Sequence, residues 1–209
     1  SLALLLAVAT LTAQTKMTAR EAAVKIADRI LASTTYEFKN TKTGEIYKSV
    51  KKLPLDMDVK VACKYNNWHY TNGVTNMALM ELGDKLGDKK YEKYVLKNMN
   101  FVFNEGNLDF FRKQYDEAFK RDGWNAVRKL SWHMIFRGKR LDDNGPMGAS
   151  LIELQLKYPN DSFLGYINET AEHLNYGEPR LVDGTIARIW PHAVSYTHLR
   201  AHETRHDLV

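Results

Sequence analysis

The sequence predicts an all-α fold with a small β-hairpin near residues 180–189. Three observations carry this expectation. Apolar residues recur at helical spacing from Thr18 to about Asn175. Gly, Pro, Asn and Asp interrupt that periodicity at intervals suited to short connections. After Asn175 the pattern changes to two short β-prone runs, Arg180-Leu181-Val182 and Thr185-Ile186-Ala187, which flank Asp183-Gly184, a two-residue hairpin signal.

The first helix opens at Thr18-Ala19-Arg20-Glu21, a capping box in which the Thr hydroxyl and the Glu carboxylate satisfy each other's orphan backbone donors. Val24, Ala27 and Leu31, with Ile26 and Ile30, supply its apolar face. Thr35 to Asp58 is polar, contains Thr43-Gly44 and Pro54, and reads as a long loop with room for a short hairpin. A second helix is expected from about Asn72 to Leu86, with Val74, Met77, Ala78 and Leu82 on one face and Gly87-Asp88 as its break. A third starts near Lys89 and carries Tyr91, Tyr94, Val95, Val102 and Phe103. Others are expected near Asp109–Lys120, near Asn125–Phe136, from about Pro146, a residue tolerated in a first turn, and over about Ser162–Asn175. Two junctions are alike: Leu86-Gly87-Asp88 leads to Tyr91 and Tyr94, and Tyr158-Pro159-Asn160-Asp161 leads to Phe163 and Tyr166, as in an array of helical hairpins.

The chain's 209 residues suffice for one domain with a sizeable core. Its 44% apolar and 26% charged residues are ordinary for a globular protein. The net charge of +5 is spread in pairs such as Lys51-Lys52 and Lys89-Lys90, with acids between them. No stripe of alternating basic and aromatic residues marks a nucleic-acid groove, although a mild positive field suits an anionic substrate. One cysteine, Cys63, excludes an internal disulfide and a cysteine metal cluster, and reads as a small buried residue.

Residues 1–14 form an uncharged, mostly apolar run, too short for a membrane span and suited to the apolar part of a secretory signal peptide. The expectation is a secreted or periplasmic protein, with no membrane contact in the mature form. Asn160-Asp161-Ser162 and Asn168-Glu169-Thr170 match the glycosylation acceptor pattern, which matters only in a eukaryotic secretory route. Residues 193–209 hold three of the seven histidines, lack helical periodicity and resemble a translated sequencing-adapter tail, so they are set apart from the fold. That tail contains His202-Glu203-Thr204-Arg205-His206, a literal H-E-x-x-H. On a helix the two histidines would share a face and could hold zinc, but a peptidase needs a third ligand and a substrate-binding strand.

Three segments could carry chemistry. Asn67-Trp68-His69-Tyr70-Thr71-Asn72-Gly73-Val74 lies where a loop enters a helix, and aromatic faces suit the apolar C–H surface of a sugar. The other reading of the segment is an aromatic plug with an N-cap from Thr71 or Asn72. Arg140-Leu141-Asp142-Asp143-Asn144-Gly145-Pro146-Met147-Gly148 sets two carboxylates before a helix, one more than a cap requires. Glycoside chemistry needs an acid and a base on opposite sides of a sugar, so a partner carboxylate would come from elsewhere in the chain. Asp183-Gly184-Thr185 is explained by its turn.

Taken in order, Trp68 to Val74, the Gly87-Asp88-Lys89-Lys90-Tyr91 handover, Leu141 to Ala149, and Asp183-Gly184-Thr185 through Arg188 and Pro191 resemble the unsaturated glycuronyl hydrolases of glycoside hydrolase families 105 and 88, especially the rhamnogalacturonyl type. The resemblance implies an (α/α)6 barrel, with residues 18–192 as an incomplete glycosidase domain. It implies an oligosaccharide substrate left by a polysaccharide lyase and ending in a 4,5-unsaturated uronic acid. An aspartic acid would protonate the ring double bond and activate the water that adds to it, and the resulting hemiketal would collapse to release the sugar. Neither metal nor cofactor is implied. By position Asp143 matches the family's first active-site aspartate, with Asp142 as the fallback. Tyr70 matches an aromatic that touches the unsaturated sugar, and Trp68 and His69 are its neighbours. The family's main proton-donating aspartate lies in a Trp-x-Asp segment, and none of the chain's four tryptophans is followed by Asp two positions on. The expectation is therefore an enzyme in its full-length form and no turnover by this chain. The alternatives are a secreted helical-repeat module that binds glycans without chemistry and, on the 202–206 motif, a zinc peptidase.

Overall fold

A computed structural model describes residues 17–137, 141–188 and 194–195, the side chains of 141–143, 188, 194 and 195 excepted. The expected signal segment 1–14, the 202–206 motif and the 193–209 tail, apart from residues 194–195, lie outside the described residues. The fold is mostly helical, as expected. Its helices are α1 (Ala19–Ser33), α2 (Tyr70–Leu86), α3 (Lys90–Val102), α4 (Glu105–Asp122), α5 (Trp124–Val127), α6 (His133–Arg137), α7 (Leu141–Lys157) and α8 (Asp161–Glu172). No helix among the described residues is long and apolar enough to cross a membrane.

The Thr18–Glu21 capping box forms as expected: Glu21 N–H donates to Thr18 Oγ1 at 3.2 Å and Thr18 N–H to the Glu21 carboxylate at 2.8 Å. The polar stretch after α1 is more ordered than a loop. It builds a three-stranded antiparallel sheet from β1 (Phe38–Asn40), β2 (Ile46–Tyr47) and β3 (Val59–Val61), in the order β2-β1-β3, with Phe38 opposite both Tyr47 and Val61. Strand alternation buries Phe38 and Asn40 and exposes Lys39. Phe38 then stacks on Phe101 with ring centroids 5.3 Å apart, tying the sheet to α3. Gln114 of α4 donates to the Val59 carbonyl at 2.9 Å.

The helix expected over Asn125–Phe136 is split into α5 and α6. Trp132 takes a left-handed backbone, φ 56°, which stops a continuous helix. Its indole is fully buried and donates to the Asn66 carbonyl at 2.7 Å, burial that a straight helix would forgo.

Helices α2–α3 and α7–α8 form two hairpins. Gly87 ends α2 in the left-handed region at φ 66°, and Asp88 N–H closes the turn on the Gly83 carbonyl at 3.0 Å. In the second hairpin Pro159 follows α7 and Asn160 caps α8, accepting from Ser162 N–H at 2.9 Å. The aromatics singled out at the two junctions occupy matching places: Tyr91 and Phe163 are fully buried, and Tyr94 and Tyr166 nearly so. Their spacing is the same (163 − 91 = 166 − 94 = 72).

The first helices of the two hairpins pack along their length and run parallel. Near their N-termini, Gly73 lies against the backbone of Pro146 and Met147, so close that a Cβ built there would sit 2.5 Å from Met147 N and 2.7 Å from Pro146 O. Near their C-termini, Lys157 Nζ reaches the Asp84 carboxylate at 3.2 Å and Glu92 of α3 at 2.6 Å. Gly73 to Asp84 and Pro146 to Lys157 are each eleven positions (84 − 73 = 157 − 146 = 11), which is the register of two helices side by side.

Beyond α8, one π-type turn (His173–Gly177) leads to the expected ribbon. Arg180 bridges Ile186 antiparallel, Gly184 has φ 85°, and Leu181 N–H donates to the Thr185 carbonyl at 2.8 Å. Ala187–Arg188 (β4) then pairs with Val194–Ser195 (β5), so residues set apart from the fold by their composition contribute a strand.

Candidate functional site

The start of α2 differs from the expected one. The helix begins at Tyr70 rather than Asn72, and its cap is His69 rather than Thr71 or Asn72. His69 Nδ1 accepts from Thr71 N–H at 3.4 Å and pairs with Thr71 Oγ1 at 2.9 Å. Asn72 is used elsewhere: its amide donates to the carbonyls of Lys64 at 2.8 Å and Asn67 at 2.7 Å, pinning the incoming loop to the helix.

Those contacts sort the three aromatic candidates. Trp68 is 2% exposed and belongs to the core, edge-on to Phe103 at 5.8 Å and to Tyr166 at 5.0 Å. Its indole N–H donates to Asn144 Oδ1 at 3.1 Å. Tyr70 lies at the surface, 46% exposed, with its ring 4.6 Å from that of the half-buried His69. The segment thus combines both readings of its sequence: Trp68 is the plug, and His69 and Tyr70 face outward from it.

The acidic pair also sits differently. Helix α7 begins at Leu141, so Asp142 and Asp143 fall in its first turn instead of before the helix, and Pro146 is its sixth residue. A proline there removes one intrahelical bond and crowds the carbonyl four residues back, a disturbance held to the start of the helix, next to the N–H groups that have no helical partner in any case. The negative charges remain at the helix end that favours them. The side chains of Asp142 and Asp143 lie outside what the structure describes. The adjacent Asn144 is 4% exposed, and its Oδ1 accepts from both Trp68 and the Tyr166 hydroxyl, the latter at 2.8 Å. Burial raises the Tyr166 phenol above its usual range, so it stays a neutral donor. Asn144 is the residue that sequence reasoning passed over. It joins the loop before α2, the first turn of α7 and the middle of α8 through one oxygen.

Because α2 and α7 are parallel, Tyr70 and the backbone of Asp142 and Asp143 occupy the same end of the helical pair. A hollow of about 400 Å³ opens beside the loop entering α2, lined by Lys64, Tyr65, Asn67, His69, Thr71, Asn72 and Thr75; neither Tyr70 nor any described residue of α7 lines it. It falls within the usual size range of small-molecule sites. Asp183 does not join this group. Its carboxylate accepts from Thr185 N–H at 2.9 Å, and that backbone bond holds it below the usual carboxylate range, as the turn requires. Cys63 is buried, with Sγ directed to the Ser33 carbonyl at 3.9 Å. No group of three or more metal-ligating side chains occurs among the described residues, and the 202–206 motif lies outside them. No protein-family profile and no curated protein matches the chain.

Proposed function

We propose that this chain carries the sugar-binding end of a glycosidase of the unsaturated glycuronyl hydrolase type, built on an (α/α)6 helical array. The observation that carries the reading is the parallel contact of α2 and α7, locked by the Trp68–Asn144 hydrogen bond at 3.1 Å. In a barrel of helical hairpins, the first helices of successive hairpins run parallel around the axis, and loops at one end surround the substrate. Helices α2 and α7 match that relation, and the loop entering α2 bears the exposed Tyr70 and half-buried His69.

In this reading the substrate is an oligosaccharide ending in a 4,5-unsaturated uronic acid. Tyr70 packs on the flat, partly unsaturated ring. Asp143, with Asp142 as the fallback, serves at the double bond, where a carboxylic acid gives up a proton and the carboxylate then draws one from the adding water. One group can do both only if its neighbours keep its pKa near the working pH. The hemiketal formed opens and releases the remaining sugar. No metal or cofactor takes part in this scheme.

Titration calorimetry with an unsaturated galacturonyl disaccharide and its saturated counterpart tests the proposal. The unsaturated sugar should bind more tightly, and Tyr70→Ala should weaken it about tenfold, the loss of roughly one good contact. Equal affinity for the two sugars, or full affinity in Tyr70→Ala, would refute it. Turnover is read in a form of the protein that also carries the Trp-x-Asp segment, as disappearance of the double bond's ultraviolet absorbance, with Asp143→Asn as control.

A further inference from the structure

We infer that the hollow beside the α2 loop is a second sugar subsite, selective for an acidic sugar whose carboxylate pairs with Lys64. Among the described residues Lys64 is the only lining residue with a permanent charge, and none of those lining the hollow is a carboxylate. Three groups around it, on Tyr65, Asn67 and His69, can donate hydrogen bonds, whereas the donors of Asn72 and Thr75 are engaged within the frame. His69 Nδ1 faces Thr71 N–H and Oγ1, which assigns the ring proton to Nε2 and makes that atom a donor. The Asn67 side-chain Oδ1 accepts from the Trp132 backbone N–H at 3.4 Å, so its NH2 is the side chain's donor group. Tyr65 adds a hydroxyl and an aromatic ring, over which the Lys64 ammonium stands at 5.1 Å from the centroid.

The frame is fixed before any ligand arrives. The Asn72 amide holds the carbonyls of Lys64 and Asn67, and Thr75 Oγ1 donates to the Thr71 carbonyl at 2.7 Å. A cation, a few neutral donors and a ring face, with no acid among the described lining side chains, select a ligand with one negative charge and several acceptor oxygens. A uronate meets that description. A phosphate lacks the apolar ring face, and a neutral hexose leaves the ammonium unused. The inference rests on the proposed function only in joining this sugar and the unsaturated one into a single oligosaccharide across His69, which lines the hollow and whose ring lies 4.6 Å from that of Tyr70. The hollow's own chemistry stands apart from the double bond.

The test is titration of the chain with galacturonate, galactose and acetate, followed by nuclear magnetic resonance. Galacturonate should bind, with galactose and acetate each at least about tenfold weaker, as expected when a charge-assisted hydrogen bond or the ring contacts are lost. Lys64→Gln should weaken galacturonate about tenfold, and Lys64→Arg should retain most of the affinity. Lys64 is an exposed side chain, so these variants keep the fold. Equal binding of galactose or of acetate, or no effect of Lys64→Gln, would overturn the subsite. If the unsaturated disaccharide binds Lys64→Gln at full strength while galacturonate never binds, the subsite fails and the hydrolase reading survives. Galacturonate binding without any response to the unsaturated disaccharide gives the reverse result.

Discussion

Replacing Gly73 by alanine probes the junction on which the site depends. The new Cβ would meet Met147 N at 2.5 Å and Pro146 O at 2.7 Å, where ordinary contacts are 3.4–4 Å, and every close atom belongs to backbone that cannot rotate away. The helices must therefore part locally by roughly 1 Å to restore normal contact. Overpacking of this kind costs about 1–3 kcal/mol. The same opening stretches the Trp68–Asn144 bond, now 3.1 Å, beyond hydrogen-bonding range. Its loss adds about 1 kcal/mol. Alanine's better helix propensity returns about 1 kcal/mol. The net expectation is a destabilisation of about 2 kcal/mol, equivalent to a Tm lower by about 4–8 °C for a chain of this length. Thermal unfolding followed by circular dichroism measures it. Gly145 is the control: it lies in α7 with nothing within 4 Å of a built Cβ, so Gly145→Ala should hold or raise Tm. A Gly73→Ala protein as stable as the parent would refute the close parallel packing of α2 and α7.

Asn144→Ala should cost about 3 kcal/mol, because the buried Trp68 indole N–H and Tyr166 hydroxyl lose their shared acceptor. Guanidinium unfolding reads the loss, and an unchanged midpoint would contradict the role given to Asn144. The Glu92 carboxyl lies below its ordinary value of 4.5, chiefly through its hydrogen bond from Lys157 and next through that from Tyr158. A depressed folded-state pKa gives stability that is present above the ordinary value and is lost as pH falls through the lower one. The parent's Tm should therefore fall below pH 4.5 more steeply than that of Lys157→Met, and parallel Tm–pH curves would count against the clamp.

Much of the helical framework could be read from the chain, and the reasons are local. The Thr18–Glu21 box, Gly87 and Asn160 act over a few residues of backbone, so their geometry follows from sequence alone. The matching aromatics after the two turns also declared the hairpin pair. What escaped depended on contacts distant in sequence. Trp132 breaks its helix because the Asn66 carbonyl lies 66 positions away. The polar stretch after α1 forms a sheet because Phe38 has α3 to pack on. The cap at His69 replaced the better cappers Thr71 and Asn72 because Asn72 is engaged in holding the loop. At the candidate site, residue type and the family resemblance singled out Tyr70, His69 and the acidic pair as candidates, whereas the inward turn of Trp68 and the three-way junction at Asn144 required the partner helices. Lys64 had no sequence mark beyond lying just before the aromatic segment.

Amide chemical-shift mapping with the unsaturated galacturonyl disaccharide tests most directly whether the heads of α2 and α7 bind one sugar. The largest shifts should fall together on residues 67–71 and 142–147. Shifts confined to one segment, or located on α4 or α8 instead, would contradict a shared site.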